Sequence, residues 1–186
     1  MIIFVGGGIG AGKSSVAKEL ARHLSLLYYD VDEHKRVIYR QDPDYQHNMD
    51  EGIPFCKDTR MKVYRKVVSD FAELSKTHQH LVVDETLHKQ ELRHYLFAGA
   101  KEHFVSYIVV WVKTSEEVIL DRLSSNNREG HLLKDPIAMH KNFMKEFEPF
   151  KQSILVCRND GLLEDTIKEL KNLFDTIAIC SNLTRA

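Results

Sequence analysis

The chain has 186 residues, of which 26 are lysine or arginine and 27 are aspartate or glutamate, so its formal net charge is −1 at pH 7. This length suits a single domain over residues 1–186, with a core large enough to fold without disulfides or a structural metal. A net charge so close to zero favours neither nucleic acid nor an anionic membrane surface as a partner, although a local basic groove stays open.

The sequence carries no sign of export or of membrane insertion. No run is long and apolar enough to span a bilayer, and the N-terminus passes directly into a predicted strand without a signal-peptide pattern. The three cysteines, Cys56, Cys157 and Cys180, are scattered and form no C-x-x-C pair, which is typical of reduced thiols. We therefore expect a cytoplasmic protein, either a monomer or a homodimer.

Short apolar segments that alternate with helical patterns predict an α/β fold. Residues 107–112 are apolar throughout, which is typical of a strand buried on both faces. Strands that alternate with helices form a parallel sheet through right-handed crossovers, with helices on both faces. The predicted strands of this five-stranded sheet are residues 2–5, 26–30, 81–83, 107–112 and 154–157.

Helical spacing of apolar residues predicts the elements between these strands. Thr59 is a plausible N-cap for one of the helices. The preceding segment, residues 41–57, contains Pro43, Gly52 and Pro54 and is predicted to be an irregular loop, of the kind that is often functional. Besides the helix that follows the first strand, the predicted helices cover about residues 33–40, 59–75, 89–101, 115–125, a stretch from 136 onward, and 163–176.

The first predicted strand leads into residues 7–14, GGIGAGKS, which fit the pattern G-x-x-x-x-G-K-[ST]. Glycines let successive backbone N–H groups point into one concavity, and the N-terminus of the following helix attracts an anion. Lys13 is expected to reach the β and γ phosphates of a nucleotide, and the Ser14 hydroxyl to coordinate magnesium. The predicted nucleotide-binding residues are Gly8, Gly10, Ala11, Gly12, Lys13, Ser14, Ser15 and Arg122.

This motif alone leaves several classes open. A glycine-rich turn without a ligand is the structural alternative, but a chance match with a strand before it and a helix after it is rare. A phosphotransferase, a switch GTPase and a motor ATPase all share the pattern. No N-K-x-D stretch for guanine recognition follows the predicted strands, which disfavours a GTPase.

Two carboxylates, Asp30 and Asp32, stand where the second predicted strand ends. Side chains two residues apart in an extended strand point the same way, so both are expected to face the phosphates. We assign Asp30 to the magnesium shell, and Asp32 to the substrate side as the catalytic base toward an acceptor hydroxyl. A role for Asp32 as the N-cap of the next helix is the competing interpretation.

Two further residues extend this predicted site. Asp84 directly follows the third apolar strand, the position of a Walker B acid that binds magnesium, although a strand-end turn residue also fits. Arg60 opens a helix after the irregular segment and is assigned to an anionic substrate group, with a solvated arginine as the alternative.

Arg122, Arg128 and Lys134 bracket the polar connection at about residues 126–135. A basic flap there would close over the γ phosphate as a lid, stabilise charge in the transition state and exclude water. Arg128 is the residue assigned to this catalytic role. A solvated charge run beside a loop is the alternative.

Together, these motifs resemble the small P-loop kinases, the group of gluconate kinases, shikimate kinases and polynucleotide-kinase-like ATP-binding proteins, over about residues 1–160. Residues 48–55, followed by Asp58 and Arg60, are similar to a stretch of gluconate kinases. Residues 82–86 resemble the Walker B strand of the ATP-binding proteins, and residues 128–133 the shikimate kinase lid. The resemblance implies a three-layer P-loop NTPase fold with a small lid and an acceptor-side segment at about residues 33–58.

No single branch is matched throughout, because Asp84-Glu85-Thr86 stands where shikimate kinases carry a glycine pair, and the Asp-Gly of gluconate kinases is missing after the second strand. The sequence thus predicts a phosphotransferase that uses ATP and Mg²⁺ to phosphorylate a hydroxyl of a small, anionic metabolite. The alternatives are a kinase for 5′-hydroxyl nucleic acids or nucleotides, and an ATP-binding regulatory module acting on a macromolecule.

Overall fold

A computed structural model describes residues 1–104, 106–125 and 135–183, with side chains through residue 174. Its five strands form one sheet in the order β2-β3-β1-β4-β5, and every neighbouring pair is parallel, as predicted. The strands are β1 Ile2–Gly7, β2 Leu27–Asp30, β3 Leu81–Asp84, β4 Tyr107–Lys113 and β5 Leu155–Arg158. The helices of the described residues are α1 Lys13–Leu24, α2 Val31–Tyr39, α3 Tyr45–Glu51, α4 Lys57–Leu74, α5 Gln90–His103, α6 Glu116–Ser125, α7 Pro136–Glu146 and α8 Leu163–Leu183.

The sheet separates two apolar cores, because side chains alternate between the faces of each strand. On one face, Phe4 of β1 is fully buried with side chains of α2, α4 and α5. On the other face, Val5 is buried with side chains of α1 and α8. The predicted three-layer architecture, with helices on both faces of a parallel sheet, is confirmed. Among the described helices, none is both long enough and apolar enough to cross a membrane.

The segment predicted to be irregular contains a helix, so that prediction was wrong. Helix α3 runs from Tyr45 to Glu51 and ends at Gly52, whose φ of 64° places it in the left-handed region. The Ile53 N–H donates to the Asn48 carbonyl, which closes the turn. None of the residues in α3 is buried, so the helix lacks the apolar stripe by which sequence patterns reveal helices.

The starts of two other helices also differ from the prediction. Helix α4 begins at Lys57, with Cys56 at its N-cap position. Thr59 is therefore not an N-cap: it is only 5% exposed, and its hydroxyl donates to the carboxylate of Asp42. Helix α2 begins at Val31, directly after β2, instead of at residue 33. The predicted lid, residues 126–135, lies outside the described residues except for Asp135, which caps α7.

Candidate active site

The glycine-rich loop connects β1 to α1 in a conformation that needs glycine at two positions. Gly10 has a φ of 81° and Gly12 a φ of 84°, in the left-handed region that disfavours side chains. A Cβ on Gly12 would lie 2.4 Å from Asn159 Nδ2, and one on Gly10 would lie 2.9 Å from Ile119 Cγ2. Backbone conformation and lack of space both therefore restrict these positions to glycine.

The carbonyl of Ala11 anchors this loop to the ends of other elements. It accepts hydrogen bonds from Thr114 Oγ1 at 3.0 Å, from Asn159 Nδ2 at 2.8 Å and from Arg122 Nη1 at 3.4 Å. Arg122 Nη2 also donates to the carbonyl of Asn159 at 2.9 Å. The predicted nucleotide-binding Arg122 thus holds the loop itself, together with two residues that the sequence did not reveal.

The N-terminus of α1 is open toward the loop. Gly12 occupies the N-cap position, and within the described part of the chain no side chain caps the helix and no acid lies in its first turn. Lys13, Ser14 and Ser15 are the first three residues of the helix. A helix N-terminus with free N–H groups and no acidic neighbour attracts an anion such as a phosphate group.

Asp30 and Asp84 end two neighbouring strands side by side. They are register partners of β2 and β3, and Asp84 is only 3% exposed. Lys13 Nζ lies 3.5 Å from Asp84 Oδ1 and 3.3 Å from Ser14 Oγ, and Tyr28 donates its hydroxyl hydrogen to Asp84 Oδ2 at 3.0 Å. The structure therefore brings the predicted magnesium carboxylates and the loop lysine together at one edge of the sheet.

Asp32 takes a different position from the one expected. It lies in the first turn of α2 and not on an extended strand end. Nor is it the N-cap, because Asp30 caps α2 by accepting a hydrogen bond from the Asp32 N–H at 2.9 Å. Its Oδ1 accepts a hydrogen bond from Lys35 Nζ at 2.8 Å, one helical turn further on.

The pKa values of Asp32 and Asp30 are shifted in opposite directions by their surroundings. The Lys35 ammonium, and to a smaller extent that of Lys13, holds the pKa of Asp32 well below its usual range, against the effect of burial. Burial and the charges of Asp32 and Asp84 raise the pKa of Asp30, although its hydrogen bond from the α2 backbone opposes this. These charges favour the ionised form of Asp32, whose Oδ1 accepts the hydrogen bond from Lys35.

A buried network follows β3 on the other side of the sheet. Glu85 is 1% exposed and accepts hydrogen bonds from Tyr64 at 2.9 Å and from Thr86 at 2.7 Å. Its second carboxylate oxygen lies 2.7 Å from Lys35 Nζ. Burial alone would lower the pKa of Lys35, but the carboxylates of Asp32 and Glu85 raise it above its ordinary value.

Arg60 lies in the first turns of α4, half-buried, and its Nε is buried without a hydrogen-bond partner among the described residues. Burial raises the pKa of Tyr39 on α2 and lowers that of His88, which follows β3. The charge of Arg60 acts to lower both pKa values. Tyr39 stacks on Phe55, with ring centroids 4.1 Å apart. A guanidinium with an unused donor beside an aromatic pair is suited to an anionic, partly apolar ligand.

The residues whose roles in the site the sequence did not reveal are Lys35, Tyr64, Glu85, Thr114 and Asn159. Two of them carry a local signal: Lys35 follows Asp32 by three residues, the spacing of a helical ion pair, and Glu85 is adjacent to Asp84. The other three come to the site only through the fold. Arg128, the predicted catalytic residue of the lid, lies outside the described residues.

Oxygen donors are the ligands that magnesium prefers, and Ser14, Asp30 and Asp84 supply them at one place. Asp84 Oδ1 is buried and makes no hydrogen bond within the described residues, so it has a free acceptor position. The described part of the chain contains no group of three or more histidines, cysteines, aspartates or glutamates arranged to hold a metal ion. The donor set fits Mg²⁺ with a hydroxyl among its ligands.

Comparison with known proteins identifies the family. The sequence profile of a family described as an AAA domain matches residues 3–135. The chain belongs to this AAA-domain family. Among curated proteins, none matches the chain.

Several solved structures share the fold. A sugar kinase from Janibacter sp. HTCC2649 is 20% identical with a TM-score of 0.72, and the match covers 94% of each chain. A gluconokinase from Sinorhizobium meliloti 1021 is 20% identical with a TM-score of 0.69, over 97% of this chain and 96% of that one. The Mycobacterium tuberculosis APS kinase CysC, in complex with AMPPNP and APS, is 18% identical with a TM-score of 0.61, over 94% and 96%. The predicted resemblance to small P-loop kinases is confirmed as a shared fold.

Proposed function

We propose that this protein is a P-loop kinase that transfers the γ-phosphoryl group of ATP to a hydroxyl group of a small, anionic metabolite. One arrangement carries the proposal. The uncapped N-terminus of α1 and the ammonium of Lys13 lie beside Asp84, while Asp32 and Arg60, on α2 and α4, supply a carboxylate and an unpaired guanidinium donor. Phosphoryl transfer needs a donor side that binds the nucleotide phosphates and an acceptor side that binds the hydroxyl, because its catalysis consists of positioning and charge stabilisation.

On the donor side, the backbone of residues 8–15 cradles the phosphates and Lys13 neutralises their charge as it is transferred. Arg122 keeps the loop in its phosphate-binding conformation through the carbonyls of Ala11 and Asn159. The complex of the similarly folded APS kinase with AMPPNP, an ATP analogue, supports ATP as the donor.

Ser14, Asp30 and Asp84 would hold Mg²⁺, which neutralises phosphate charge when it is bound. Asp84 Oδ1, which makes no hydrogen bond among the described residues, would be one of its ligands. Lys13 pairs with Asp84 and would share the neutralisation of phosphate charge with the ion.

On the acceptor side, Asp32 accepts the proton of the attacking hydroxyl, and Arg60 binds an anionic group of the same molecule. Tyr39 and Phe55, within the predicted acceptor-side segment at residues 33–58, provide apolar walls. The sugar kinase and the gluconokinase with the same fold are named for small-molecule acceptors, which supports a small metabolite over a macromolecule. The role of Arg128 in a lid stays a prediction from the sequence.

A screen of acceptors tests this proposal. The protein is incubated with [γ-³²P]ATP and magnesium in the presence of sugar acids including D-gluconate, hydroxy acids including shikimate, nucleosides, and 5′-hydroxyl oligonucleotides. We expect label on an anionic small molecule, and none with Lys13→Ala. Label on oligonucleotides alone would replace the proposal with a nucleic-acid kinase, and ATP hydrolysis without any transfer would favour a regulatory module.

The role of Asp32 is tested separately. Asp32→Asn should lower kcat far more than it raises the Kd for ATP, because a base acts in the transition state. A collapse of ATP affinity would instead assign Asp32 to the magnesium shell.

A further inference from the structure

The two residues after Val83 pair with opposite sides of the proposed site. Asp84, on the α1 face of β3, pairs with Lys13 of the glycine-rich loop at 3.5 Å. Glu85, the next residue, pairs with Lys35 of α2 at 2.7 Å, and Lys35 donates in turn to Asp32 at 2.8 Å. The end of β3 is therefore connected directly to Lys13 on the donor side, and through the Lys35 ammonium to the Asp32 carboxylate on the acceptor side.

The pairing of Glu85 is built into the core. A buried carboxylate is costly unless every oxygen finds a donor or a cation. Glu85 receives hydroxyl hydrogens from Tyr64 and Thr86 on Oε1, whereas its Oε2 makes no hydrogen bond among the described residues and is compensated by the Lys35 ammonium at 2.7 Å. Because the two hydroxyls fix the orientation of the carboxylate, they also fix the place of the Lys35 ammonium.

The position of Asp32 depends on that ammonium. Asp32 and Lys35 lie one turn apart on α2, so the helix brings them together, and their hydrogen bond holds the Asp32 carboxylate in one rotamer. Such a constraint matters in phosphoryl transfer, because misplacing a reacting group by about 1 Å costs on the order of 100-fold in rate.

We propose that Lys35, itself held by Glu85, is a positioning residue that fixes the Asp32 carboxylate relative to the donor side. This inference rests on the proposed function, in which Asp32 receives the hydroxyl proton. Asp84 and Glu85, which directly follow Val83, thereby set the distance between the phosphoryl donor and the acceptor hydroxyl. Among the described residues, Lys35 and Glu85 make no hydrogen bond or ion pair with the nucleotide loop, so we expect their removal to change turnover more than ATP binding.

Two substitutions break the network at different points. Glu85→Gln keeps an oxygen for the hydroxyls of Tyr64 and Thr86 but turns an amide donor toward Lys35, which ends the ion pair. Lys35→Met removes the ammonium and retains the length of the side chain. Lys35→Arg keeps the charge and serves as the rescue variant. Glu73→Gln and Lys76→Met are the matched controls, because that ion pair is equally short, at 2.8 Å, and exposed.

The rate is measured with [γ-³²P]ATP and magnesium, using whichever of D-gluconate, shikimate and water gives the highest rate with the unsubstituted protein. We expect Glu85→Gln and Lys35→Met to lower kcat about 10- to 100-fold with the KM for ATP changed by less than about twofold, and Lys35→Arg to recover part of the loss. The control variants should match the parent protein. Full kcat in both network variants would overturn the inference.

The double variant Lys35→Met/Glu85→Gln separates positioning from stability. It removes both partners of the buried Lys35–Glu85 pair, and the carboxylate that also loses Lys35, Asp32, is partly exposed. We therefore expect it to unfold at a higher urea concentration than Lys35→Met alone, while kcat stays low. Recovery of kcat together with stability would mean that the network only stabilises the fold, which overturns the proposal.

A readout that needs no acceptor completes the test. The ¹³C resonance of the Asp32 carboxyl group, assigned through Asp32→Asn, should move in Glu85→Gln, although residue 85 does not contact Asp32. An unmoved resonance contradicts the proposal. Failure of the proposed function looks different, because the unsubstituted protein would then label no small-molecule acceptor. Failure of the base role alone would leave Asp32→Asn with full transfer activity. Slow transfer in Asp32→Asn with full activity in Lys35→Met and Glu85→Gln would reject only the positioning role.

Discussion

Lys13 Nζ lies 3.5 Å from Asp84 Oδ1, at the end of a strand that is buried along its whole length. Asp84 is 3% exposed, and its other oxygen accepts a hydrogen bond from Tyr28 at 3.0 Å. The pair connects the start of α1 to the end of β3, so the lysine is held at the phosphate cradle by a fixed carboxylate. A preorganised cation of this kind stabilises transition-state charge without reorganising during the reaction.

Lys13→Ala should therefore abolish phosphoryl transfer while the chain still folds. We expect kcat to fall by at least about 100-fold, the cost of removing a preorganised charge-stabilising group. The rate is measured with labelled ATP, and the fold by far-UV circular dichroism. Lys171→Ala, an exposed lysine of α8, is the matched control and should keep full activity. Full activity in Lys13→Ala would disprove the assignment of the loop.

The strands were predictable because their signal is local. Residues 2–5 and 107–112 are continuous apolar runs, and runs this short are below the length of a typical helix and therefore favour a buried strand. Helix α3 was missed for the opposite reason: none of its residues is buried, so no apolar period marks it. Thr59 is of a residue type that often caps helices, but α4 begins at Lys57. Thr59 is therefore inside the helix, and its hydroxyl donates a hydrogen bond to the Asp42 carboxylate.

The site was predictable to the extent that it lies at strand ends. Asp30 and Asp84 were found because each directly follows an apolar strand, and parallel strands bring those ends together. Asn159 also follows a predicted strand, but its role could not be predicted, because it donates to the Ala11 carbonyl, 148 residues away along the chain. Glu85 belongs to the stretch that resembles a Walker B strand, but that resemblance predicts no role for it. Its importance comes from a pairing with Lys35 that only the packing of α2 beside β3 creates.

Gly12→Ala should damage both the fold and nucleotide binding. The residue has a φ of 84°, and a Cβ there would lie 2.4 Å from Asn159 Nδ2, which holds the Ala11 carbonyl. We expect the free energy of unfolding to fall by about 1–3 kcal/mol, the cost of a non-glycine residue in the left-handed region. Urea denaturation measures this loss, and titration with a fluorescent ATP analogue should show weaker binding.

Gly161 provides the control for this substitution. A Cβ on Gly161 would meet nothing within 4 Å. Gly161→Ala should therefore change the free energy of unfolding by less than about 0.5 kcal/mol and leave nucleotide affinity unchanged. Equal effects of the two substitutions would show that the conformation of Gly12 is not required.

Arg60→Ala should weaken acceptor binding and spare ATP binding. Arg60 is partly exposed, and its Nε has no partner in the described residues, so a ligand anion that reaches the guanidinium would gain a charge-assisted hydrogen bond. Such bonds contribute about 1.5–3 kcal/mol, which corresponds to a rise of roughly 10- to 150-fold in the KM for the acceptor. Arg60→Lys should show an intermediate KM, because an ammonium cannot reproduce the planar guanidinium.

The control for Arg60 lies on the same helix. Arg65 of α4 is exposed, and Arg65→Ala should leave both KM values unchanged. Steady-state kinetics with ATP and acceptor varied in turn gives the two constants. If Arg60→Ala raised the KM for ATP and left that for the acceptor unchanged, Arg60 would belong to the donor side.

His88 should make the fold less stable in acid. Burial, followed by the charge of Lys89, lowers the pKa of His88 from 6.5, although its hydrogen bond to the Phe143 carbonyl at 3.1 Å acts in the opposite direction. Below about pH 6.5 the unfolded chain therefore binds more protons at this residue than the folded protein does. The stabilising contribution is complete above pH 6.5 and is lost as the pH falls through that value toward the lowered pKa.

Urea denaturation at pH 7.5, 6.5 and 5.5 measures this loss. We expect the unfolding free energy to fall less with pH in His88→Gln than in the parent protein. The control is His94→Gln, which replaces an exposed histidine and should lose as much as the parent does. Parallel curves for His88→Gln and the parent protein would contradict this prediction.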